Sequence, residues 1–117
     1  MAKVDLEQFS NKIHVRNLQE TDFDAIVALQ LRCFPGMPTW TLAHVQSQIE
    51  NFAAGQIGVF YNGELVASSC SLMVDYDLCS DWHDWKQVAD RGYIRNHNPK
   101  GDVLYGIDAD HLLVWIE

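Results

Sequence analysis

The feature that most restricts the fold is an Asn62-Gly63 pair between two apolar, strand-like segments, residues 56–61 and 64–74. An Asn-Gly pair favours the left-handed backbone of a two-residue turn, so this arrangement predicts a β-hairpin. A two-stranded hairpin is only marginally stable alone. The rest of the chain must therefore supply further strands, and helices that cover the apolar face of the sheet.

A first helix is predicted upstream of the hairpin, over residues 20–34. Thr21 is its expected N-cap, with Asp24 three residues later as in a capping box. The Pro35-Gly36 pair ends it. Leu31 widens a stripe of residues that fall close to one face of this helix: Phe23, Ile26, Val27, Gln30 and Phe34.

A second helix is predicted over residues 41–54, with Gly55 as the left-handed residue that ends it. A half-buried strand is predicted over residues 13–16, because apolar and polar residues alternate there. Residues 1–12 form a polar lead-in.

A third helix and a fourth strand are predicted after the hairpin. The helix lies within residues 75–91, with Ser80 or Asp81 as N-cap and Gly92 as terminator. The strand covers residues 103–107. The order is β-α-α-β-β-α-β, so the expected fold class is α/β (α+β), a mixed, largely antiparallel sheet with helices on its faces.

Length, charge and cysteine content narrow the protein classes. The chain has 117 residues, enough for one domain over residues 13–117. Its net charge of −8 repels phosphate backbones and anionic lipid, which excludes a general nucleic-acid or membrane-surface binder. No stretch approaches the ~20 apolar residues of a membrane span. Three cysteines without a Cys-x-x-Cys pair favour a reducing, cytoplasmic location.

The order of elements and the hairpin sequence resemble the N-terminal half of the GNAT N-acetyltransferases. Residues 13–17 resemble that family's first strand, residues 58–67 its second and third, and residues 103–107 its fourth. Residues 85–107 further resemble the acetyltransferase-like domains fused to carbon–nitrogen hydrolases in some bacteria. The resemblance implies a truncated GNAT-like fold, N-acetyltransferase activity, acetyl-CoA as co-substrate and an amine acceptor.

The expected phosphate-binding loop does not follow the fourth strand. In the family, this strand leads into an Arg/Gln-x-x-Gly-x-Gly/Ala loop whose backbone and helix hold the CoA pyrophosphate. Here Ile107 is followed by Asp-Ala-Asp-His at residues 108–111, and no glycine follows Gly106. A fragment of a longer protein, a frameshifted product and a short relative with another role remain open. This chain alone is expected to bind CoA weakly or not at all.

The resemblance assigns candidate chemistry to the end of the fourth strand. Asp108 matches a carboxylate that acts as general base toward the amine. The backbone of Ile107, Asp108 and Ala109 matches the region that contacts the cofactor. The alternative for Asp108 is a solvated acid at a strand end.

Candidate substrate-binding residues come from three further positions. In the family, the loop between the two early helices lines the acceptor side, which nominates Phe34, Met37 and Trp40; the alternative is that these side chains complete the core. Tyr76 begins an acidic, aromatic stretch that either attracts an amine cation or starts a charged helix. Tyr105 lies in the fourth strand.

A basic cluster interrupts the acidic composition. Lys86, Arg91, Arg95 and Lys100, with His97, offer a phosphate site or, alternatively, a solvated face that balances nearby aspartates. No metal site is expected. The possible ligands are Cys79, His83, His97 and His111, but Cys79-x-x-x-His83 is the one tight pair and a second pair is lacking.

The fourth strand also predicts an assembly. Without a fifth neighbour it exposes unpaired backbone groups, and an apolar tail follows it. A homodimer or a swapped assembly is therefore expected, with residues 103–116 at the contact.

Overall fold

A four-stranded antiparallel sheet is the base of the fold. The computed structural model describes residues 12–79 and 84–111, with the backbone alone at residues 79 and 108–111. The strands lie in the order β1-β2-β3-β4, and each neighbouring pair is antiparallel. Their bounds are β1 Ile13–Asn17, β2 Gln56–Tyr61, β3 Glu64–Val74 and β4 Val103–His111.

The helices fall in the two predicted connections. Two longer helices, α1 and α2, join β1 to β2, and two single-turn helices, α3 and α4, lie between β3 and β4. The α/β class and the order of strands and helical connections are thus confirmed, with two single-turn helices in place of the one helix predicted between β3 and β4. Every described strand pair is antiparallel. The bounds are α1 Phe23–Cys33, α2 Leu42–Phe52, α3 Tyr76–Cys79 and α4 Trp85–Val88, with 3₁₀ turns at Glu20–Asp22, Ala53–Gly55 and Asp90–Gly92.

The hairpin has the turn that its sequence predicts. Asn62 and Gly63 are both left-handed, with φ of 50° and 84°. Tyr61 pairs with Glu64 across the turn, so the loop has two residues. Two consecutive positive φ values define the turn type whose twist matches that of paired strands.

The predicted N-cap of the first helix is wrong. Thr21 lies inside the 3₁₀ turn that precedes α1. The carboxylate of Asp22 instead accepts from the Gln19 backbone N–H at 2.8 Å and from both terminal nitrogens of Arg16 at 2.8 and 2.9 Å. The Arg16 guanidinium holds the pKa of Asp22 below its ordinary value. Asp22 therefore caps the turn through Gln19, three residues earlier, while Arg16 binds the same carboxylate from six residues away.

The start of the second helix is confirmed, and the role given to Gly55 is wrong. Thr41 caps α2, its Oγ1 accepting from the His44 backbone N–H at 3.2 Å. The helix ends at Phe52, and Gly55 closes the 3₁₀ turn without a left-handed φ. A Cβ at Gly55 would overlap the Phe52 ring and lie 2.7 Å from Ser71 Oγ. A glycine is required here because neighbouring side chains pack closely against it, and not because of its backbone angles.

The third helix is shorter than predicted. The helix α4 begins at Trp85, with the Asp84 side chain accepting from Gln87 N–H at 3.0 Å, and it ends at Val88. Asp90 and Arg91 are left-handed, so the right-handed α-helix cannot continue through them. The expected N-caps Ser80 and Asp81 lie outside the described residues.

The fourth strand is longer than predicted, because it continues past Ile107 to residue 111. Cys70 pairs with Asp108 and Ser71 with Gly106, so Ile107 is the extra residue of a β-bulge. Backbone pairing with β3 carries the strand through the acidic residues that follow. Bulges re-aim the local chain and are common beside functional sites.

The core is divided into two apolar clusters on the helix-covered face. The first joins α1 and α2 to the hairpin and the second joins β3 to α4 and the segment after it. Phe34 and Leu31, expected on the buried face of α1, are 45% and 51% exposed, whereas Leu29 is buried. The buried members are Leu18, Ile26, Leu29, Val45, Phe60 and Leu65 in the first cluster, and Leu72, Val74, Val88, Ala89 and Ile94 in the second.

Among the described residues, no helix has the length and apolar content to cross a membrane.

Stability is expected to fall in mild acid through His97. Its Nδ1 accepts from the Met73 backbone N–H at 2.9 Å, and its ring stacks on Phe52 at 4.1 Å. Burial lowers the pKa of His97. This contribution is therefore full above the ordinary histidine pKa of about 6.5 and is lost as the pH falls through the lowered value. We expect the free energy of unfolding in urea to be smaller at pH 5 than at pH 7.

The matched variants are His97→Gln, which keeps an acceptor that does not titrate, and His14→Gln, which replaces an exposed histidine on β1. The difference between the two pH values should shrink in the first and persist in the second. Since burial also lowers the pKa of His44, the first variant should reduce the difference without abolishing it. An unchanged difference in His97→Gln would contradict the assignment.

Candidate functional site

The candidate site is a cavity of about 770 Å³ between the helices and the bulge of β4. This volume lies within the range of small-molecule sites in proteins. Its walls come from the end of α1, the connection to α2, the start of α2, α4, the turn at residues 90–92 and β4. The described residues that line it are Gln30, Phe34, Met37, Pro38, Thr39, Trp40, His44, Trp85, Lys86, Arg91 and Ile107.

The structure brings together part of the predicted site. Phe34, Met37 and Trp40 line the cavity from the helix connection, and Ile107 lines it from the β4 bulge. Tyr76 and Tyr105 do not line it. Tyr76 is 60% exposed at the start of α3, and Tyr105 packs on the second core cluster.

Asp108 and Ala109 follow the cavity-lining Ile107 in β4. Their backbones pair with Cys70 and Ser69 of β3. The side chain of Asp108 lies outside the described part of the chain, so its role as general base remains a prediction.

Aromatic rings form one wall of the cavity. Trp40 meets Trp85 edge to face, with ring centroids 6.0 Å apart, and tilts against His44 at 5.1 Å. The half-buried Trp40 is anchored through its backbone, whose N–H donates to the buried Gln30 Oε1 at 2.9 Å. The buried amide of α1 thus fixes the connection that carries the wall.

His44 is a cavity residue that the sequence did not single out. Its Nδ1 accepts from Thr41 Oγ1 at 2.8 Å and from the Thr41 N–H at 3.2 Å, which assigns the proton of the neutral ring to Nε2. Burial lowers the pKa of His44, opposed by a hydrogen bond to the Arg91 backbone. The ring therefore stays neutral and bridges α2 to the opposite wall. One sequence feature could have drawn attention to His44: it lies three residues after the Thr41 cap, at the position where a capping box has Glu or Gln.

The opposite wall contains an unusual turn at residues 90–94. Asp90, Arg91 and Gly92 are consecutively left-handed, with φ of 51°, 58° and 92°, and Ile94 is left-handed at 48°. Left-handed backbone is unfavourable for side chains other than glycine and persists where the surroundings enforce it.

Contacts from α2 and from Arg95 hold this turn. Gln48 Nε2 donates to the Gly92 carbonyl at 2.9 Å, and Ser47 Oγ donates to the Tyr93 carbonyl. Arg95 binds both carboxylate oxygens of Asp90. Ile94 is fully buried. The conformation is therefore fixed by hydrogen bonds from α2, by the Arg95–Asp90 ion pair and by the packing of Ile94.

The predicted basic cluster is not one cluster. Lys86 and Arg91 line the cavity, whereas Arg95 pairs with Asp90 outside it. His97 is stacked on Phe52 and accepts a backbone hydrogen bond. The local fold thus separates residues that are neighbours in sequence.

Metal binding finds no support among the described residues, which contain no group of three potential ligands close together. Of the candidates, Cys79, His83 and His111 have side chains outside that set.

Comparison with solved structures defines the class of fold. The loading GNATL domain of CurA from Lyngbya majuscula superposes with a TM-score of 0.69 at 18% identity, covering 86% of this chain and 48% of that one. The GphF GNAT-like decarboxylase, solved in complex with isobutyryl-CoA, superposes with a TM-score of 0.68 at 18% identity, covering 84% of this chain and 48% of that one. The chain has the fold of a GNAT-like domain, over about half of such a domain, which confirms the predicted GNAT-like fold.

Two curated proteins of Bacillus subtilis (strain 168) are related in sequence. The uncharacterized N-acetyltransferase YkwB is 36% identical over 98 residues, covering 80% of this chain and 43% of that protein. The probable hydrolase YhcX is 43% identical over 107 residues, covering 92% of this chain and 21% of that protein. No protein-family profile matches the sequence. The chain spans less than half of either relative, and their names point to different activities.

Proposed function

We propose that this chain forms the acceptor side of a GNAT-type, acyl-CoA-dependent N-acyltransferase. The observation that carries the proposal is the cavity between the helix connection and the β4 bulge, in a fold shared with GNAT-like domains. One such neighbour binds an acyl-CoA. The name of the relative YkwB agrees with this chemistry.

The reaction assigns tasks to the helix connection and to β4. The neutral amine attacks the thioester carbonyl, a C–N bond forms, the C–S bond breaks, and CoA leaves as a thiolate that takes up a proton. The helix connection at Phe34, Met37 and Trp40 holds the acceptor. Asp108, next to Ile107 in β4, removes the proton of the amine directly or through water.

The name of YhcX is compatible with this proposal, since the match covers 21% of that protein and leaves most of it unmatched. The same limited coverage suits the expected likeness to acetyltransferase-like domains that are fused to hydrolases.

CoA affinity is expected to require residues beyond those present after β4. Acetyl-CoA titrated into the 117-residue chain in a calorimeter should give no saturable binding at micromolar concentration, and no CoA should be released in the presence of amines. A chain extended after β4 by an Arg-x-x-Gly-x-Gly loop and a helix should gain at least about tenfold in affinity, because backbone N–H groups then reach the pyrophosphate.

The matched control is the same extension with valines in place of its glycines, which should lose the gain. Micromolar affinity of the 117-residue chain for acetyl-CoA would overturn the proposal that this chain forms the acceptor side and that CoA binding needs further residues. An extended chain that binds no acetyl-CoA would argue against acyl transfer.

A second candidate function is association through the edge of the sheet. In the described sheet β4 has one neighbour, β3, and Leu104 on this edge strand is 62% exposed. An exposed edge strand with an apolar side chain favours pairing with another chain. On this view the domain is a non-catalytic dimerisation module with residues 103–116 at its contact.

Mass measured by light scattering over a range of concentrations tests the second candidate. It predicts a dimer, and Leu104→Lys should shift the mass toward the monomer while Leu78→Lys, at a 71% exposed leucine of α3, should not. A monomer at every concentration would exclude this candidate.

A further inference from the structure

Two cationic side chains line a largely apolar cavity. Lys86 enters the lining from α4 and Arg91 from the left-handed turn. Among the described residues of the lining, none is Asp or Glu. Neither cation belongs to an ion pair among the described side chains, and the neighbouring Asp90 is occupied by Arg95. The net charge of the chain is −8, so these two charges are opposite in sign to that of the whole protein.

The backbone at Arg91 points to a specific requirement for its position. Its φ of 58° is unfavourable for arginine and would suit glycine. The backbone of Arg91 is hydrogen-bonded to His44, and the buried Gln48 donates to the carbonyl of Gly92. These contacts fix the backbone from which the side chain extends. Strained, over-determined backbone of this kind clusters at ligand sites.

The aromatic wall indicates the chemistry of the part of the ligand that does not contact the two cations. Trp40 and Trp85 lie in edge-to-face contact beside the two cations. A planar guanidinium matches a carboxylate with two parallel hydrogen bonds, and apolar rings match an apolar body.

We infer that this cavity binds an amine acceptor that carries a carboxylate on an aromatic or aliphatic body, with Arg91 and Lys86 holding the carboxylate. An amino acid has this chemistry. The carboxylate fixes the orientation of the acceptor and leaves its amine for the acyl group. The assignment of the amine as nucleophile rests on the proposed acyl transfer; the binding of the carboxylate does not.

Calorimetry with two probes of equal size tests the inference on the 117-residue chain. L-Phenylalanine and L-phenylalaninamide share the ring and the α-amine, and the amide takes the place of the carboxylate. At low salt, phenylalanine should bind at least about tenfold more tightly, since charge-assisted bonds to a carboxylate are the stronger kind. Raising the salt should reduce the difference. Equal affinity for both probes would overturn the inference.

Arg91→Gln should bring the two affinities together, while Arg32→Gln, at an exposed arginine of α1 paired with Glu64, should leave the discrimination intact. Arg91→Gly provides a variant whose folding is not at risk, because glycine relieves the left-handed strain. It should raise the unfolding temperature by a few degrees and still lose the discrimination. Discrimination retained in Arg91→Gly would exclude Arg91 as the anchor.

A phosphate is the other oxyanion that these cations can hold. Pantetheine 4′-phosphate, titrated under the same conditions, should bind more weakly than phenylalanine. Tighter, Arg91-dependent binding of this probe would assign the cations to the phosphate of a cofactor and overturn the carboxylate assignment. These measurements use no acyl-CoA, so their failure would leave acyl transfer to be judged by the CoA experiments.

Discussion

Gly92→Ala should destabilise the fold by roughly 4 kcal/mol, from two effects at one position. Gly92 has a φ of 92°, which alanine adopts only with strain. A Cβ there would also overlap the Trp40 indole, which packs against His44 and Trp85. The Trp40 ring cannot move aside without opening the aromatic wall. Thermal and urea unfolding measure the loss.

Gly36→Ala separates the two effects. Gly36 has a similar φ of 80°, but a Cβ there meets no atom within 4 Å. This variant should cost about 1 kcal/mol, from the backbone alone. Equal losses at both glycines would show that Trp40 does not lie over Gly92. In a Trp40→Leu background, the cost of Gly92→Ala should fall toward that of Gly36→Ala, because the overlapping ring is gone.

Leu72→Ala should cost about 3 kcal/mol and lower the unfolding temperature by about 15 °C. Leu72 has no exposed surface and lies in the centre of the second cluster, among Val74, Val88 and Ile94. Truncation removes buried methyl groups and leaves a void that the surrounding sheet and helix cannot fill. The measurement is urea unfolding followed by circular dichroism.

Leu78→Ala is the matched control, since this leucine of α3 is 71% exposed. It should change stability by less than about 0.5 kcal/mol. Because the second cluster joins β3 to α4 and to Ile94, we expect Leu72→Ala also to loosen the turn that carries Arg91. A cost near that of Leu78→Ala would contradict the second cluster as part of the core.

Local signals explain what the sequence predicted well. The Asn62-Gly63 turn specifies its own geometry, so the bounds of β2 and β3 were predicted without error. Thr41 likewise caps α2 through a contact three residues away. Interactions of this range are contained in a few neighbouring residues.

One error arose because a different residue caps the first helix: Asp22 accepts from the Gln19 N–H and binds Arg16, and Thr21 lies inside the turn. Another error arose because pairing with β3 extended β4 through residues 108–111. In the second case the deciding partner lies on another strand, far away in sequence. Local propensity cannot include such a partner.

The sequence by itself determined the class of fold and the loop that forms one wall of the cavity, because periodicity, turns and caps are local properties. The tertiary structure decided the rest of the cavity. It brought His44, Lys86 and Arg91 to the same space as Phe34 and Trp40, and it removed Tyr76 and Tyr105 from that space. Packing of α2 against the left-handed turn at residues 90–94 is the physical reason, because that contact depends on buried hydrogen bonds between segments more than 40 residues apart.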